Sequence, residues 1–129
     1  MYAESDYVVG VLPGTADTQN FFTMESCFSK MKAGSVFMNI GRGATVIEED
    51  LISVLKSGHL RGAVLDVFKV EPLPQESELW DLPNVFITPH SADRDVEFMD
   101  RAMDILSDNV GLYKSGQPLK NVTNKQLGY

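Results

Sequence analysis

Four short apolar runs lie between Asp6 and His90: "DYVVGVLP" (Asp6–Pro13), "SVFMNI" (Ser35–Ile40), "GAVLDVF" (Gly62–Phe68) and "NVFITPH" (Asn84–His90). The first is nearly continuous and reads as a strand buried on both faces, the second as a buried strand, and the other two as further strands. Two stretches between them carry helical spacing. In "TMESCFSKMKAG" (Thr23–Gly34), Met24, Phe28 and Met31 share a face and Gly34 supplies a stop. In "EEDLISVLKSG" (Glu48–Gly58), the acidic first turn and the late Lys56 suit the helix dipole, and Leu51, Ile52 and Leu55 form an inner stripe. The proline-rich link to the fourth run reads as turns, with one helical turn near Glu76–Trp80. A last helix is expected from about Asp95 to Ser115. Its Val96, Met99, Met103, Leu106, Val110 and Tyr113 are spaced as a core-facing stripe or a coiled seam.

Short apolar strands alternating with helices indicate an α/β fold, a doubly wound Rossmann-type parallel sheet with right-handed crossovers. The 129 residues suit one domain. The net charge of −7 argues against a nucleic-acid partner held through phosphates. It leaves room for a small anion held by one arginine. The single Cys27 excludes an internal disulfide and a cysteine-based zinc site, reads as a buried thiol, and no metal is expected. With no membrane-length apolar run and no secretory signal, a cytoplasmic protein and no membrane partner are expected.

In an open parallel sheet, ligands bind beyond the carboxyl ends of the strands. Those ends carry Leu12-Pro13-Gly14-Thr15, then Asn39-Ile40-Gly41-Arg42-Gly43, then Asp66 with Glu71-Pro72, then Thr88-Pro89-His90-Ser91. Topology thus gathers an arginine, two carboxylates and a histidine on one edge. An arginine between two glycines suits a sharp turn that a ligand can approach closely. Its planar fork matches a carboxylate; the competing reading pairs Arg42 with Glu48. His90 can move a proton near neutral pH, and Glu71 is its candidate partner; the alternative is a hydrogen-bonded structural histidine. Asp66 interrupts an apolar strand, so it is either used or caps a loop amide. His59, at a helix end, is assigned no chemistry. No G-x-G-x-x-G occurs anywhere.

"NIGRGATVIEEDLISVLKSGHLRGAVLDVFKVEPLP" and "LPNVFITPHSA" resemble the C-terminal signatures of the D-isomer-specific 2-hydroxyacid dehydrogenases. "EPLPQESELWDLPNVFITPH" looks most like the glyoxylate/hydroxypyruvate reductase branch. The resemblance implies that Arg42 holds the substrate carboxylate, His90 is the general acid–base, and Glu71 keeps it protonated. It implies that Asp66 binds the nicotinamide carboxamide. Leu12, Pro13, Ile40 and Gly41 would line the cofactor, with Thr18, Arg42, His90 and Ser91 near it. The implied cofactor is NADP or NAD, leaning to NADP. The implied substrate is a small 2-keto or D-2-hydroxy acid such as glyoxylate or hydroxypyruvate.

Set against that family, residues 1–129 correspond to a partial NAD(P)-binding domain, the second half of the doubly wound sheet. The pyrophosphate loop and the substrate domain have no counterpart, so the isolated chain is expected to be inactive. Asp93-Arg94-Asp95 departs from the family's usual small or aromatic residues. The strand Tyr7–Leu12 would be an apolar edge, and a homodimer is expected from it and from the last helix. The alternative function is a non-catalytic binding or regulatory module of the same fold.

Overall fold

The computed structural model describes residues 1–129. It divides into two compact units, Met1–Ala92 and Asp93–Tyr129. The first contains a four-stranded sheet: β1 (Tyr7–Gly10), β2 (Val36–Asn39), β3 (Gly62–Leu65) and β4 (Val85–Ile87). All neighbours pair in parallel, in the spatial order β1-β2-β3-β4. Because every strand runs the same way, the four carboxyl ends lie along one edge, as the apolar runs predicted.

The helix α1 (Glu48–Lys56) crosses between β2 and β3. Three acidic residues open it and Lys56 closes it, both favourable to the dipole. Its Leu51, Val54 and Leu55 are buried, while Ile52, expected in the inner stripe, is only partly so. They join a core in which the Phe37 ring stands edge-on to Phe22 and to Phe28, each with centroids 5.2 Å apart. Truncating such a fully buried ring costs about 3–5 kcal/mol.

Three expectations need correction. No α-helix forms over Thr23–Gly34; turns lead into one 3-10 turn, Phe28–Lys30. The hydroxyls compete with helical bonding there. Ser26 Oγ donates to Phe21 O at 2.6 Å, and the Ser26 amide donates to Thr23 Oγ1 at 3.0 Å. The Met24 amide donates instead to Asp50 at the start of α1, at 2.7 Å. The apolar assignment survives, since Phe28 and Met31 are buried.

Second, β1 is buried on one face only. Val8 and Gly10 point inward, and Tyr7 and Val9 are exposed. A parallel strand is covered twice only if elements pack on both faces, and residues 1–92 hold a single α-helix. Third, the apolar stripe of α2 (Phe98–Lys114) is not core: the helix buries none of its residues. Its existence and span were legible. Gly116, at φ 66°, ends it, and the following chain returns to Asn109, which both donates to and accepts from the Lys120 backbone. The helical turn expected near Glu76–Trp80 is a 3-10 turn, Glu78–Trp80, capped by Ser77. No helix is long and apolar enough to cross a membrane.

Candidate functional site

The loop after β3 and the loop after β4 are tied together by two carboxylates. Asp66, 2% exposed, accepts from the amides of Ser91 and Ala92, each at 2.9 Å, and from the Thr88 hydroxyl. Burial opposes charging this group. The Ser91 amide, the Thr88 hydroxyl, the Ala92 amide and the His90 charge outweigh it and hold the carboxyl below its ordinary pKa. Asp66 therefore does cap loop amides, and the loop it caps is the one that carries His90.

His90 sits in the left-handed region at φ 50°, unusual for a residue with a side chain. Its Nδ1 lies 2.7 Å from Glu71 Oε2. The other Glu71 oxygen accepts from the Phe68 amide at 2.9 Å. The hydrogen bond from His90 is the main reason that the Glu71 carboxyl is held below its ordinary value; the Phe68 amide helps and burial opposes. Glu71 thus stays ionised and is fixed at both oxygens. An ionised Glu71 assigns the Nδ1 proton of His90, which leaves Nε2 as the atom that faces outward chemistry. The His90 side chain is 46% exposed, so a ligand can reach it.

On the neighbouring strand end, Arg42 meets no carboxylate within ion-pair distance. The alternative pairing with Glu48 does not occur, because Glu48 Oε1 accepts from the Lys69 amide at 2.7 Å. The only side-chain bond of Arg42 runs from Nη1 to the Gly41 carbonyl, at 2.7 Å. The guanidinium keeps most of its donors for a ligand.

The flanking glycines have a different cause from the one expected. A Cβ on Gly41 would lie 2.7 Å from Leu12 O, and one on Gly43 only 1.9 Å from the Phe68 carbonyl carbon. They allow the chain to pass against the loops after β1 and β3. The arginine loop is thereby seated on the backbone of Phe68, three residues before Glu71.

Asn39 was missed by sequence reasoning. It is buried, accepts from the Gly41 amide at 3.1 Å and donates to Arg42 O at 3.1 Å. The buried Thr45 hydroxyl donates to the same carbonyl at 2.7 Å. The available signal was an amide side chain inside an apolar run just before the glycine pair.

The remaining candidates divide. Ile40 is 44% exposed at the end of β2, an apolar surface where a flat heteroaromatic ring can lie. Leu12 and Pro13 are half-buried at the end of β1. Thr18 closes its own loop: its hydroxyl donates to Pro13 O and accepts from the Thr15 amide at 3.0 Å. Ser91 meets Asp66 through its amide. His59 bonds Met31 O at 2.9 Å. Cys27 is fully buried, and burial pushes its thiol up, as suits a core residue.

Residues 1–92 match the NAD-binding domain of the D-isomer specific 2-hydroxyacid dehydrogenases. The chain is 38% identical over 124 residues to glyoxylate/hydroxypyruvate reductase A of Klebsiella pneumoniae, covering 95% of this chain and 38% of that protein. The NADPH-dependent glyoxylate/hydroxypyruvate reductase of Sinorhizobium meliloti, solved with NADP and sulfate, superposes with a TM-score of 0.89. The match has 38% identity over 99% of this chain and 41% of that one. A D-isomer specific 2-hydroxyacid dehydrogenase of Xanthobacter autotrophicus, solved with NADPH, gives a TM-score of 0.89 and 38% identity. That match covers 99% of this chain and 52% of that one. The chain spans about two fifths of the length of the curated relatives it matches. The parallel α/β sheet, together with these matches, places the chain in the D-isomer specific 2-hydroxyacid dehydrogenase family.

Proposed function

We propose that this chain supplies the nicotinamide-side and proton-transfer half of an NAD(P)-dependent reductase of small 2-keto acids such as glyoxylate or hydroxypyruvate. The observation that carries this reading is the His90–Glu71 pair, 2.7 Å apart, on the same sheet edge as the carboxylate-free Arg42. The cofactor, when bound, supplies the hydride. Arg42 would bind the substrate carboxylate through two parallel donors and so orient the keto carbon. His90 would deliver the Nε2 proton to the carbonyl oxygen, and Glu71 would stabilise the ring as it changes charge. Leu12, Pro13, Ile40 and Gly41 would line the nicotinamide, with Thr18 and Ser91 close by. Asp66 would hold the carboxamide with lone pairs not used by the loop. NADP is favoured over NAD because the solved relatives above hold NADP or NADPH.

Calorimetry with NADPH and NADH on the purified chain tests this. Saturable binding is expected, tighter for NADPH, with little reduction of hydroxypyruvate, because the sequence holds no G-x-G-x-x-G to grip the pyrophosphate. No binding at millimolar cofactor would overturn the nicotinamide-side reading for the isolated chain. Light scattering on the same sample tests self-association, which the exposed Tyr7–Val9 face favours.

A further inference from the structure

The strand β2 ends in an amide side chain where the rest of the strand is apolar. Asn39 is 1% exposed, and burying an amide is unfavourable unless its groups are bonded. Both groups are bonded, and both bonds go to the residues that frame the guanidinium. Oδ1 accepts from the Gly41 amide and Nδ2 donates to the Arg42 carbonyl, each at 3.1 Å. The first bond fixes the peptide that precedes Gly41, the second the peptide that follows Arg42. The peptide between them is clamped from both sides, and its oxygen, Gly41 O, receives Arg42 Nη1 at 2.7 Å. Gly41 and Gly43 leave this segment free to turn, so the clamp supplies a direction that the glycines do not. Asn39 is itself firmly seated. Its backbone carbonyl accepts from the Asp66 amide at 3.0 Å. Its Oδ1 fits beside Gly10, where a Cβ would come within 3.3 Å of it.

We propose that Asn39 is a positioning residue for substrate binding: it aims the Arg42 guanidinium through the Gly41 peptide without touching the ligand. This deepens the reductase reading and rests on it, because the direction of Arg42 matters only if Arg42 is the carboxylate anchor. Two parallel N–H···O bonds to a carboxylate require the planar fork at one angle. A guanidinium that swings with a loose loop loses that match. Thr45 provides the contrast: its hydroxyl bonds the same Arg42 carbonyl at 2.7 Å and has no bond to Gly41.

The test follows the Arg42 Nε–H signal of the full chain by NMR as glyoxylate is added in the presence of oxidised NADP, which has no hydride to give. In the parent, this signal should be ordered before glyoxylate is added, and the Asn39 side-chain amide should shift with it during the titration. Asn39→Leu keeps the volume and removes both bonds. It should leave Arg42 Nε–H mobile and weaken glyoxylate at least about tenfold, with NADP affinity by calorimetry within about threefold of the parent. Asn39→Ser retains an acceptor for the Gly41 amide and should recover part of the loss. Thr45→Val removes the other side-chain bond to the Arg42 carbonyl and should leave glyoxylate within about threefold of the parent. Circular dichroism shows whether each variant is folded.

Parent-like glyoxylate affinity in a folded Asn39→Leu overturns the proposal. So does equal weakening by Thr45→Val, or a loss of NADP affinity that matches the loss for glyoxylate. If Asn39→Leu does not fold, the parent titration decides: an Asn39 side-chain amide that stays still while Arg42 shifts overturns the proposal. All of these results leave the reductase reading standing. Glyoxylate binding that leaves Arg42 Nε–H unmoved, or no glyoxylate binding at all, removes Arg42 as the anchor, and both readings fall.

Discussion

The loop around Arg42, after β2, and the loop around His90, after β4, share one sheet edge with the end of β3 between them, yet they are held in opposite ways. The Arg42 loop is fixed by shape: two glycines let it lie against other backbone, and the neutral Asn39 and Thr45 tie down its carbonyl. The His90 loop is fixed by charge: two carboxylates with lowered pKa values, Asp66 and Glu71, gather amides, a hydroxyl and an imidazole. In the proposed roles, Arg42 as an anchor for an anion gains from a seat indifferent to pH. His90, as the proposed proton donor, needs its partner carboxylate ionised throughout the working range. Steric fixing should therefore fail abruptly on substitution, and electrostatic fixing gradually on acidification.

The sharpest break is Gly43→Ala. A methyl group 1.9 Å from the Phe68 carbonyl carbon cannot be accommodated without moving the loop that leads to Glu71. A loss above about 4 kcal/mol is expected, seen as loss of the cooperative thermal transition. A variant melting within a few degrees of the parent would show that the loop yields easily.

Next is Asp66→Asn. The new amide turns a donor toward donors, leaving a buried N–H unanswered, at a cost of about 1–3 kcal/mol. Chemical denaturation measures it, and amide exchange at Ser91 and Ala92 should rise while exchange at Gly41 stays low. Faster exchange in both loops would mean that the two are one cooperative unit.

Acidification separates them more gently. Both carboxylates have lowered folded-state pKa values, so their contribution is complete above the ordinary carboxylate pKa of about 4 and is lost as pH falls through the lowered values. Amide shifts near His90 should move below about pH 4, with those around Arg42 unchanged. Titration of both sets together would erase the distinction.

The smallest effect is expected from Glu71→Gln. The pair is partly exposed, at 46% and 35%, so the change in stability should stay below about 1 kcal/mol. Its mark is instead the freeing of the His90 ring, read from the imidazole nitrogen shifts. Unchanged shifts would remove Glu71 as the positioning partner.

Much of this edge could be read before the structure was known. Unbroken apolar runs mark parallel strands, and parallel strands must end together, so Arg42, Asp66, Glu71 and His90 converge from pattern alone. What escaped depends on neighbours distant in sequence. The purpose of Gly41 and Gly43 is set by the backbones of Leu12 and Phe68, which no local spacing reveals. Thr23–Gly34 has helical periodicity, but Thr23 and Ser26 satisfy backbone groups that a helix would need, and Asp50 takes another. The outer face of β1 is as apolar as the inner one. Whether it is buried depends on what covers it, which Tyr7 and Val9 do not encode.

The strand order β1-β2-β3-β4 has a consequence for how the chain acquires its shape. Each strand pairs with the one made just before it, so no strand waits for a distant partner and the loop-closure cost of each addition is modest. β2, β3 and β4 can each add to the strand before it, one crossover at a time. His90, at the end of the last strand, is then the final piece to arrive, delivered onto an edge where Arg42 and Asp66 already stand.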